Sequence, residues 1–157
     1  MPALRGGARF YTRDPAQADD LVQETVLRAL AAADTFQPGT NMRAWCFTIL
    51  RNFFLEQMRK GKKERELLAQ YGKDTERSAA GSATWDGEDL HELENLLWRL
   101  SPVLREALVL IGAQEMTYAE AAQVCAVEVG TMKARVSRAR SMLRTLMEQR
   151  ARDEHRA

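Results

Sequence analysis

Hydrophobic residues recur at three- and four-residue spacing along most of the chain, with polar residues between them. This spacing places apolar side chains on one face of a helix, whereas half-buried strands would need strict alternation. We therefore predict an all-α fold. The most regular stripes lie in the second half, at Leu90, Leu93, Leu97 and Leu100 and, after the capping pair Ser101-Pro102, at Leu104, Ala107, Leu108 and Ile111.

The first half of the chain begins with short, weakly defined helices. A helix is predicted over 3–12, although two adjacent glycines weaken it. Asp14 followed by Pro15 opens a small helix through residue 18, and Asp19 or Asp20 then caps a longer one. The longer helix presents a polar, mainly acidic face, for which exposure to solvent is the simplest interpretation. Its inward face is predicted at Val22, Val26, Ala29, Leu30 and Ala33.

The helix predicted over 42–60 has an apolar stripe too wide for packing against a single neighbour. It is either central in a bundle or partly exposed for a partner. Its aromatic residues are interleaved with Arg43, Arg51 and Arg59, a combination that suits single-stranded nucleic acid, although a core position is the simpler interpretation of any one ring. Asn52 is the polar exception in its most apolar part.

A helix-turn-helix is predicted near the end of the chain. Thr117 and Glu120 have the spacing of a capping box, which fixes a helix start. Residues 125–128 have about the length of the turn in this motif, so a second helix should begin near Val129. Ala126 occupies a turn position that often carries glycine, and a left-handed alanine costs on the order of 1 kcal/mol.

The second helix of this motif has two chemically different faces. The inward stripe is predicted at Met132, Val136, Ala139 and either Met142 or Leu143. The opposite face is cationic, with Lys133, Arg135, Arg138 and Arg140. Such a face suits the major groove, because phosphates attract the charge and arginine can bind guanine edges bidentately. A solvated basic face is the alternative interpretation.

The charge of the chain is segregated rather than balanced locally. The 157 residues carry a net charge of +1, but acidic and basic stretches alternate and leave two separate basic patches. Two such patches suggest two contacts with one polyanion. No apolar run approaches the length of a membrane span, and the opening residues lack a signal-peptide core, so we expect no membrane partner and a cytoplasmic location.

The sequence offers few features that would indicate catalysis or metal binding. Cys46 and Cys125 lie far apart within apolar patterns, and we interpret both as buried thiols, with a redox pair as the less favoured alternative. Metal-ligand spacing, a glycine-rich phosphate loop and a plausible catalytic triad are all absent. We therefore predict no enzyme activity, no cofactor and no small-molecule substrate.

A polar segment at 63–89 interrupts the helical pattern and is predicted to be an interdomain linker. It passes from a charged helical start, KKERELLAQYGK, into a stretch rich in Ser, Ala and Gly, with Trp85 as its isolated large hydrophobic residue. Two small helical domains joined by a polar linker are the expected architecture.

Three segments of the chain resemble regions of a bacterial RNA polymerase sigma factor of the extracytoplasmic-function (ECF) group. The similar segments are DPAQADDLVQETVLRAL for sigma region 2.1 to 2.2, NMRAWCFTILRNFFLEQMRK for region 2.3 to 2.4, and LSPVLREALVLIGAQEMTYAEAAQVCAVEVGTMKARVSRARSML for region 4. The resemblance implies region 2 at 1–62, region 4 at 90–150 and a polar tail at 151–157. GAQEMTYAEAA and VGTMKARVSRAR look most like the alphaproteobacterial general-stress-response subgroup. Family members normally have more helix before Leu4, so the chain resembles a shortened member, through truncation or choice of start site.

The resemblance also implies roles for individual residues. Residues expected at the promoter −35 element are Thr131, Lys133, Ala134, Arg135, Ser137, Arg138 and Arg140, with Arg140 and Arg144 nearer phosphate. Those expected at the −10 element, where a base is flipped out of the stack, are Phe36, Thr40, Asn41, Arg51, Asn52, Arg59 and Lys60. Those expected on the polymerase β′ clamp helices are Asp20, Gln23, Glu24, Leu27 and Arg28. Ala134 stands where the family usually has a hydroxyl side chain, which puts a direct base contact there in doubt.

The partners implied are RNA polymerase core, through the β′ clamp helices and the β flap, promoter DNA and an anti-sigma factor. Two other functions remain open. One is a sigma-like decoy that binds only an anti-sigma protein, but such adaptors lose the −10-reading helix and carry a receiver domain. The other is a conventional helix-turn-helix regulator that binds a palindrome as a dimer, which leaves the acidic face and the aromatic, cationic helix unexplained.

Overall fold

The computed structural model describes the backbone of residues 2–70 and 88–156 and the side chains of 2–64 and 91–156. The described residues are helical, without strands, as predicted. The helices are α1 Pro2–Ala8, α2 Pro15–Ala31, α3 Met42–Gln70, α4 Glu88–Trp98, α5 Pro102–Leu108, α6 Tyr118–Cys125 and α7 Val129–Arg156. They form two compact units, the first containing α1 to α3 and the second α4 to α7. Trp85 and most of the predicted linker lie outside the described residues.

The core of the first unit forms where α1 and α2 pack against α3. Phe47 and Leu50 of α3 are completely buried, and Leu21 of α2 is nearly so. Gly7 allows α1 to approach the ring of Phe47, because a Cβ atom added at Gly7 would lie 2.2 Å from Phe47 Cε1. The glycine that weakens α1 as a helix thus allows it to pack closely.

The structure corrects the predicted division of α2. One continuous helix begins at Pro15, capped by the side chain of Asp14, whose Oδ1 accepts the N–H of Ala16 at 2.9 Å. Asp19 and Asp20 therefore lie within the helix rather than at its cap. The buried residues Ala18, Leu21, Val22 and Thr25 follow the spacing i, i+3, i+4, i+7. Leu30, expected to face inward, is 70% exposed.

Helix α3 is ten residues longer than the sequence predicted. Asn41 caps it, accepting backbone N–H groups of Arg43 and Ala44 at 3.0 and 3.3 Å. The helix continues beyond Lys60 to Gln70, so the first residues assigned to the linker are helical. Gly61 is a possible helix end after Lys60, but residues 62–70 contain no further glycine or proline and consist mainly of good helix formers, so the helix continues through it.

In the second unit, a widened helical turn follows α5 and changes the register of the core. Val109–Ala113 form a π turn, in which the N–H of Gln114 donates to the carbonyl of Val109 at 2.9 Å. Val109 and Leu110 are consequently buried, whereas the predicted core residues Leu108 and Ile111 are only half-buried. The inward positions predicted before this turn, Leu104 and Ala107, are confirmed.

The predicted helix-turn-helix is present as α6 and α7. Thr117 and Glu120 form the complete capping box, with the reciprocal hydrogen bonds at 2.9 and 3.1 Å. Ala126 adopts the left-handed conformation at φ 54°, and the following N–H of Val127 returns to the carbonyl of Ala122. Helix α7 begins at Val129, as predicted.

Small buried residues allow α6 and α7 to pack closely against the rest of the second unit. Ala121, Ala122 and Ala139 are at most 3% exposed, as is the larger Met132. The inward stripe of α7 is confirmed through Ala139, but Met142 is 46% exposed and Leu143 half-buried. Helix α7 continues to Arg156, so the predicted tail is helical, and Arg150 forms an ion pair with Glu92 of α4.

Candidate nucleic-acid and polymerase interfaces

The outward face of α7 presents most of the predicted −35 residues to solvent. Exposed residues on this face are Thr131, Lys133, Ser137, Arg138, Arg140 and Arg144, while Ala134 and Arg135 are half-buried. Met132, Val136 and Ala139 hold the opposite face in the core. The helix thus carries a cationic surface on a rigid support, as major-groove docking requires.

Two of the α7 cations have defined surroundings. The ammonium of Lys133 lies 5.7 Å from the ring centroid of Tyr118 at the start of α6, within the range of a cation–π contact. Arg135 has one guanidinium nitrogen, Nη1, that is buried without a hydrogen-bond partner among the described residues. A buried unsatisfied donor costs about 1–3 kcal/mol, so Arg135 would gain from an external acceptor.

The loop before α3 brings two aromatic side chains together. The rings of Phe36 and Trp45 are tilted by 53° with centroids 5.2 Å apart, and both residues are half-buried. Thr40 is exposed and donates its hydroxyl to the carbonyl of Gln37 at 2.6 Å, which closes the turn. Asn41 uses its side-chain oxygen to cap α3, so a role at DNA would have to use its amide nitrogen.

Polar residues extend along α3 from this aromatic pair. Asn52 is exposed and Arg51 half-buried, although both stand in the apolar part of the sequence pattern. Arg59 and Lys60 are exposed further along the same helix, together with Lys62 and Lys63. The first unit therefore has a cationic surface that begins near an aromatic loop, an arrangement suited to unstacked bases and a phosphate backbone.

Some residues of the predicted polymerase-binding face of α2 are exposed to solvent, whereas others are bonded to neighbouring side chains. Asp20, Gln23 and Leu27 are exposed, and Leu27 presents 62% of its surface to solvent. Glu24 and Arg28 are half-buried and bonded to each other, Arg28 Nε to Glu24 Oε1 at 3.1 Å. The face is thus acidic and apolar where it is most accessible.

Arg28 connects α2 to α3. Its Nη1 and Nη2 donate to the two carboxylate oxygens of Glu56 at 3.3 and 3.1 Å, and its guanidinium carbon lies 4.7 Å from the ring centroid of Phe53. The hydrogen bond with Arg28 lowers the pKa of Glu56, and the bonds to Glu56 and then Glu24 raise the pKa of Arg28. The sequence pattern on α2 alone did not indicate this bidentate pair.

The thiols are buried, as predicted. Burial raises the pKa of Cys46, which keeps it protonated and unreactive. Cys125 donates its thiol hydrogen to Glu106 at 3.2 Å within the second unit. Over the described residues, no cluster of three or more His, Cys, Asp or Glu is placed to hold a metal ion, and no helix has the length and apolarity to cross a membrane.

Several known proteins are similar to this chain in sequence and in fold. Residues 1–64 match the Sigma-70 region 2 family and residues 90–143 match the Sigma-70 region 4 family. The chain is 45% identical over 148 residues to the ECF RNA polymerase sigma factor EcfG of Rhodopseudomonas palustris, covering 94% of this chain and 80% of that protein. The chain belongs to the ECF sigma factors.

Two solved sigma factor structures have a fold similar to that of this sigma factor. The sigma factor RpoE, solved in complex with the anti-sigma factor NepR from Bartonella quintana, has a TM-score of 0.75 and 43% identity, over 94% of this chain and 91% of that one. CnrH, solved in complex with the cytosolic domain of CnrY, has a TM-score of 0.67 and 28% identity, over 94% and 81%. EcfG and RpoE agree with the general-stress-response subgroup that the sequence indicated. ECF sigma factors are transcription initiation factors.

Sequence reasoning missed several residues that shape the surfaces of this sigma factor. Glu56, Phe53 and Tyr118 contact predicted site residues through side chains on a different helix. Arg105 is buried, donates to the carbonyl of Leu100 at 3.1 Å and lies 3.7 Å from the ring centroid of Trp98. The charged pair Arg105-Glu106 within an apolar stripe was the signal available for this buried polar site.

Proposed function

We propose that this sigma factor binds RNA polymerase core and starts transcription by recognising the −35 and −10 elements of a promoter. The observation that carries the proposal is the exposed cationic face of α7 on a capped helix-turn-helix, paired in the same chain with the aromatic, cationic surface of α3. One surface suits duplex DNA, and the other suits a melted strand.

In the second unit, α7 lies in the major groove of the −35 element. Lys133, Ser137 and Arg138 are exposed near the start of the helix and approach base edges, while Thr131, Arg140 and Arg144 approach phosphates. Arg135 is half-buried and turns its unsatisfied nitrogen toward DNA on binding. Ala134 offers only a methyl group, which can contact a thymine methyl but cannot form a hydrogen bond.

In the first unit, the loop before α3 and the adjoining helix hold the melted −10 strand. Phe36 offers a ring on which a base can stack, while Thr40, the amide nitrogen of Asn41, Arg51 and Asn52 surround it with polar groups. Arg59 and Lys60 bind the phosphates that follow. Unstacking a base costs a few kcal/mol, which stacking and hydrogen bonding in such a pocket can offset.

The accessible residues of α2 bind the β′ clamp helices of the polymerase. Asp20 and Gln23 supply charge and hydrogen bonding, and the exposed Leu27 supplies apolar contact. Glu24 borders this face, and the second unit binds the β flap. Because core holds both DNA-binding units, two weak interactions gain from effective concentration, and the isolated chain should bind promoter DNA poorly.

An anti-sigma factor regulates the protein in the cytoplasm by covering its polymerase-binding surfaces. The relatives RpoE and CnrH were solved with the anti-sigma factor NepR and with the cytosolic domain of CnrY, respectively, which supports a partner of this kind here. A stress regulon follows from the subgroup. The chain itself uses no cofactor and catalyses no reaction.

Run-off transcription from a promoter library tests the proposal. Purified polymerase core is incubated with the library, with and without this chain, and the transcript starts are sequenced. Starts that depend on the chain and share −35 and −10 motifs support a sigma factor. Absence of binding to core contradicts the proposal and favours a decoy that binds only an anti-sigma protein, or a conventional helix-turn-helix regulator.

A further inference from the structure

We propose that Arg28 neutralises Glu56 within the DNA-binding surface of α3, and so acts as a positioning residue for −10 binding rather than as a polymerase contact. This inference rests on the proposed function, because it assigns Arg28 a role at the DNA surface described above. It changes the role that the sequence implied for Arg28, which lies on the same helix as the polymerase-binding residues.

Three of the five N–H donors of the Arg28 guanidinium are used within the first unit, at least one from each nitrogen. Two of its nitrogens bond both oxygens of Glu56, the third bonds Glu24, and the ring of Phe53 lies against its carbon. A bidentate pair of this geometry is directional and stronger than a simple ion pair. A polymerase contact that used the bonded edges of Arg28 would compete with Glu56 and Glu24, whereas Asp20, Gln23 and Leu27 are exposed on the same helix.

Glu56 is the acidic member of an otherwise cationic cluster on α3. Arg59, Lys60 and Lys63 line one shallow cavity with it, at the i+3, i+4 and i+7 positions of the same helix face. The charges of Lys60 and Arg59 act on Glu56 in the same direction as Arg28, lowering its pKa, but the hydrogen bond from Arg28 is the largest cause. Glu56 is therefore ionised where phosphates are expected.

An ionised carboxylate beside a phosphate backbone repels it unless a cation cancels the charge. Arg28 supplies that cation from the neighbouring helix, so Arg59, Lys60 and Lys63 remain available for DNA. Removing Arg28 would leave Glu56 to compete with phosphate for these three cations. The loss of DNA affinity in such a variant should come from the uncompensated charge of Glu56. Removing that carboxylate as well should therefore restore the affinity.

The test measures the affinity of holoenzyme for a single-stranded −10 oligonucleotide, with its sequence taken from the mapped transcript starts. The variants of the full chain are Arg28→Gln, Glu56→Gln and the double variant, each assembled with polymerase core. Arg28→Gln should weaken oligonucleotide binding about fivefold at low salt. The double variant should return to within about twofold of wild type, and Glu56→Gln should bind at least as tightly as wild type.

Two controls separate charge from folding. Arg5→Gln removes one exposed cation of α1 without freeing a carboxylate, and should change oligonucleotide affinity less than about twofold. The defect of Arg28→Gln should shrink when salt is raised from about 0.05 to 0.3 M, because salt screens repulsion between exposed charges but does not restore packing. Arg28→Lys, which keeps a cation beside Glu56, should retain most of the affinity.

The outcomes distinguish this inference from the proposed function. If Arg28→Gln weakens binding to core and Glu56→Gln does not rescue oligonucleotide binding, Arg28 is a polymerase contact and the inference is wrong. A defect that is independent of salt and persists in the double variant also overturns it, because that is the behaviour of lost packing. If the wild-type holoenzyme shows no promoter-specific starts at all, the proposed function itself fails.

Discussion

The two helical units differ in the range of the interactions that position the helices proposed to bind DNA, α7 and α3. In the second unit, Thr117 and Glu120 cap α6, and Ala126 ends it, all within ten residues of each other. In the first unit, α3 packs against residues that are distant in sequence. Gly7 of α1 leaves room for the ring of Phe47, and Arg28 of α2 bonds Glu56. Local interactions thus fix the turn that leads into α7, whereas α3, although capped locally by Asn41, also depends on contacts that are distant in sequence.

This difference extends to the charged surfaces. The cations of α7 project from a helix whose opposite face is buried in small and aliphatic residues, so the surface follows directly from helical periodicity. The surface of α3 includes a carboxylate whose charge is cancelled from α2. A substitution on α7 should therefore act at its own position, whereas a substitution on α2 can act on α3.

The largest effect expected from this comparison concerns Gly7. Gly7→Ala places a Cβ atom 2.2 Å from the buried ring of Phe47 and should destabilise the protein by about 1–3 kcal/mol through overpacking. Gly6→Ala is the matched control, since its Cβ would meet nothing within 4 Å and alanine favours the helix by about 0.5–1 kcal/mol. Denaturant titration of both variants checks the opposite signs, and destabilisation of equal size by both would contradict close packing at Gly7.

The capping box of the second unit should give the next effect. Thr117→Ala removes the acceptor of the Glu120 N–H and should cost about 1 kcal/mol. Amide hydrogen exchange should speed up mainly in the first turn of α6, because the interaction is local. Faster exchange across α1 to α3 instead would show that the cap acts beyond its own unit.

Ala126 offers a stabilising change in the same turn. The residue is left-handed at φ 54°, so Ala126→Gly should relieve strain and stabilise the protein by roughly 0.5–1 kcal/mol. The thermal midpoint should rise by a few degrees at unchanged affinity for DNA. A lower midpoint would mean that the flexibility of glycine in the unfolded chain outweighs the strain relieved.

The smallest effect expected is the pH dependence of the Arg28 pair. The pKa of Glu56 is lowered in the folded protein, so the pair contributes stability above the ordinary carboxyl pKa of about 4.5 and loses it as pH falls through the lower folded value. Wild type should therefore exceed Glu56→Gln in thermal midpoint at pH 7, by a small margin because both side chains are partly exposed. The difference in thermal midpoint should disappear in acid. A difference that grows as pH falls would contradict a stabilising Arg28–Glu56 pair.

The sequence predicted the helix-turn-helix more accurately than the first unit, for a physical reason. The capping box, the left-handed turn and the start of α7 depend on residues close together in the chain, and all were confirmed. The helix start at Asp14-Pro15 was confirmed too, but the division of α2 into two helices, the end of α3 and the core register after Leu108 were wrong. The candidate caps Asp19 and Asp20 and the candidate helix end Gly61 all lie inside continuous helices, and the π turn at Val109–Ala113 shifts the core without a distinct local signal.

The candidate site shows the same division. The exposed cations of α7 could be identified from periodicity and charge, while the role proposed for Asn52 depends on resemblance to a family. The engagement of Arg28 could not be predicted, because Glu56 is 28 residues away and belongs to another helix.

The most direct test of two separate recognition surfaces crosses protein variants with promoter variants. Arg138→Ala should weaken −35 recognition by about 1–3 kcal/mol, and Asn52→Ala should weaken −10 recognition by a similar amount. Transcription by holoenzyme is measured for each variant on promoters with matched or scrambled −35 and −10 elements. The account predicts that Arg138→Ala loses discrimination only at −35 and Asn52→Ala only at −10. Equal transcription from matched and scrambled −35 sequence by the wild type, or loss of discrimination at the same element by both variants, would contradict it.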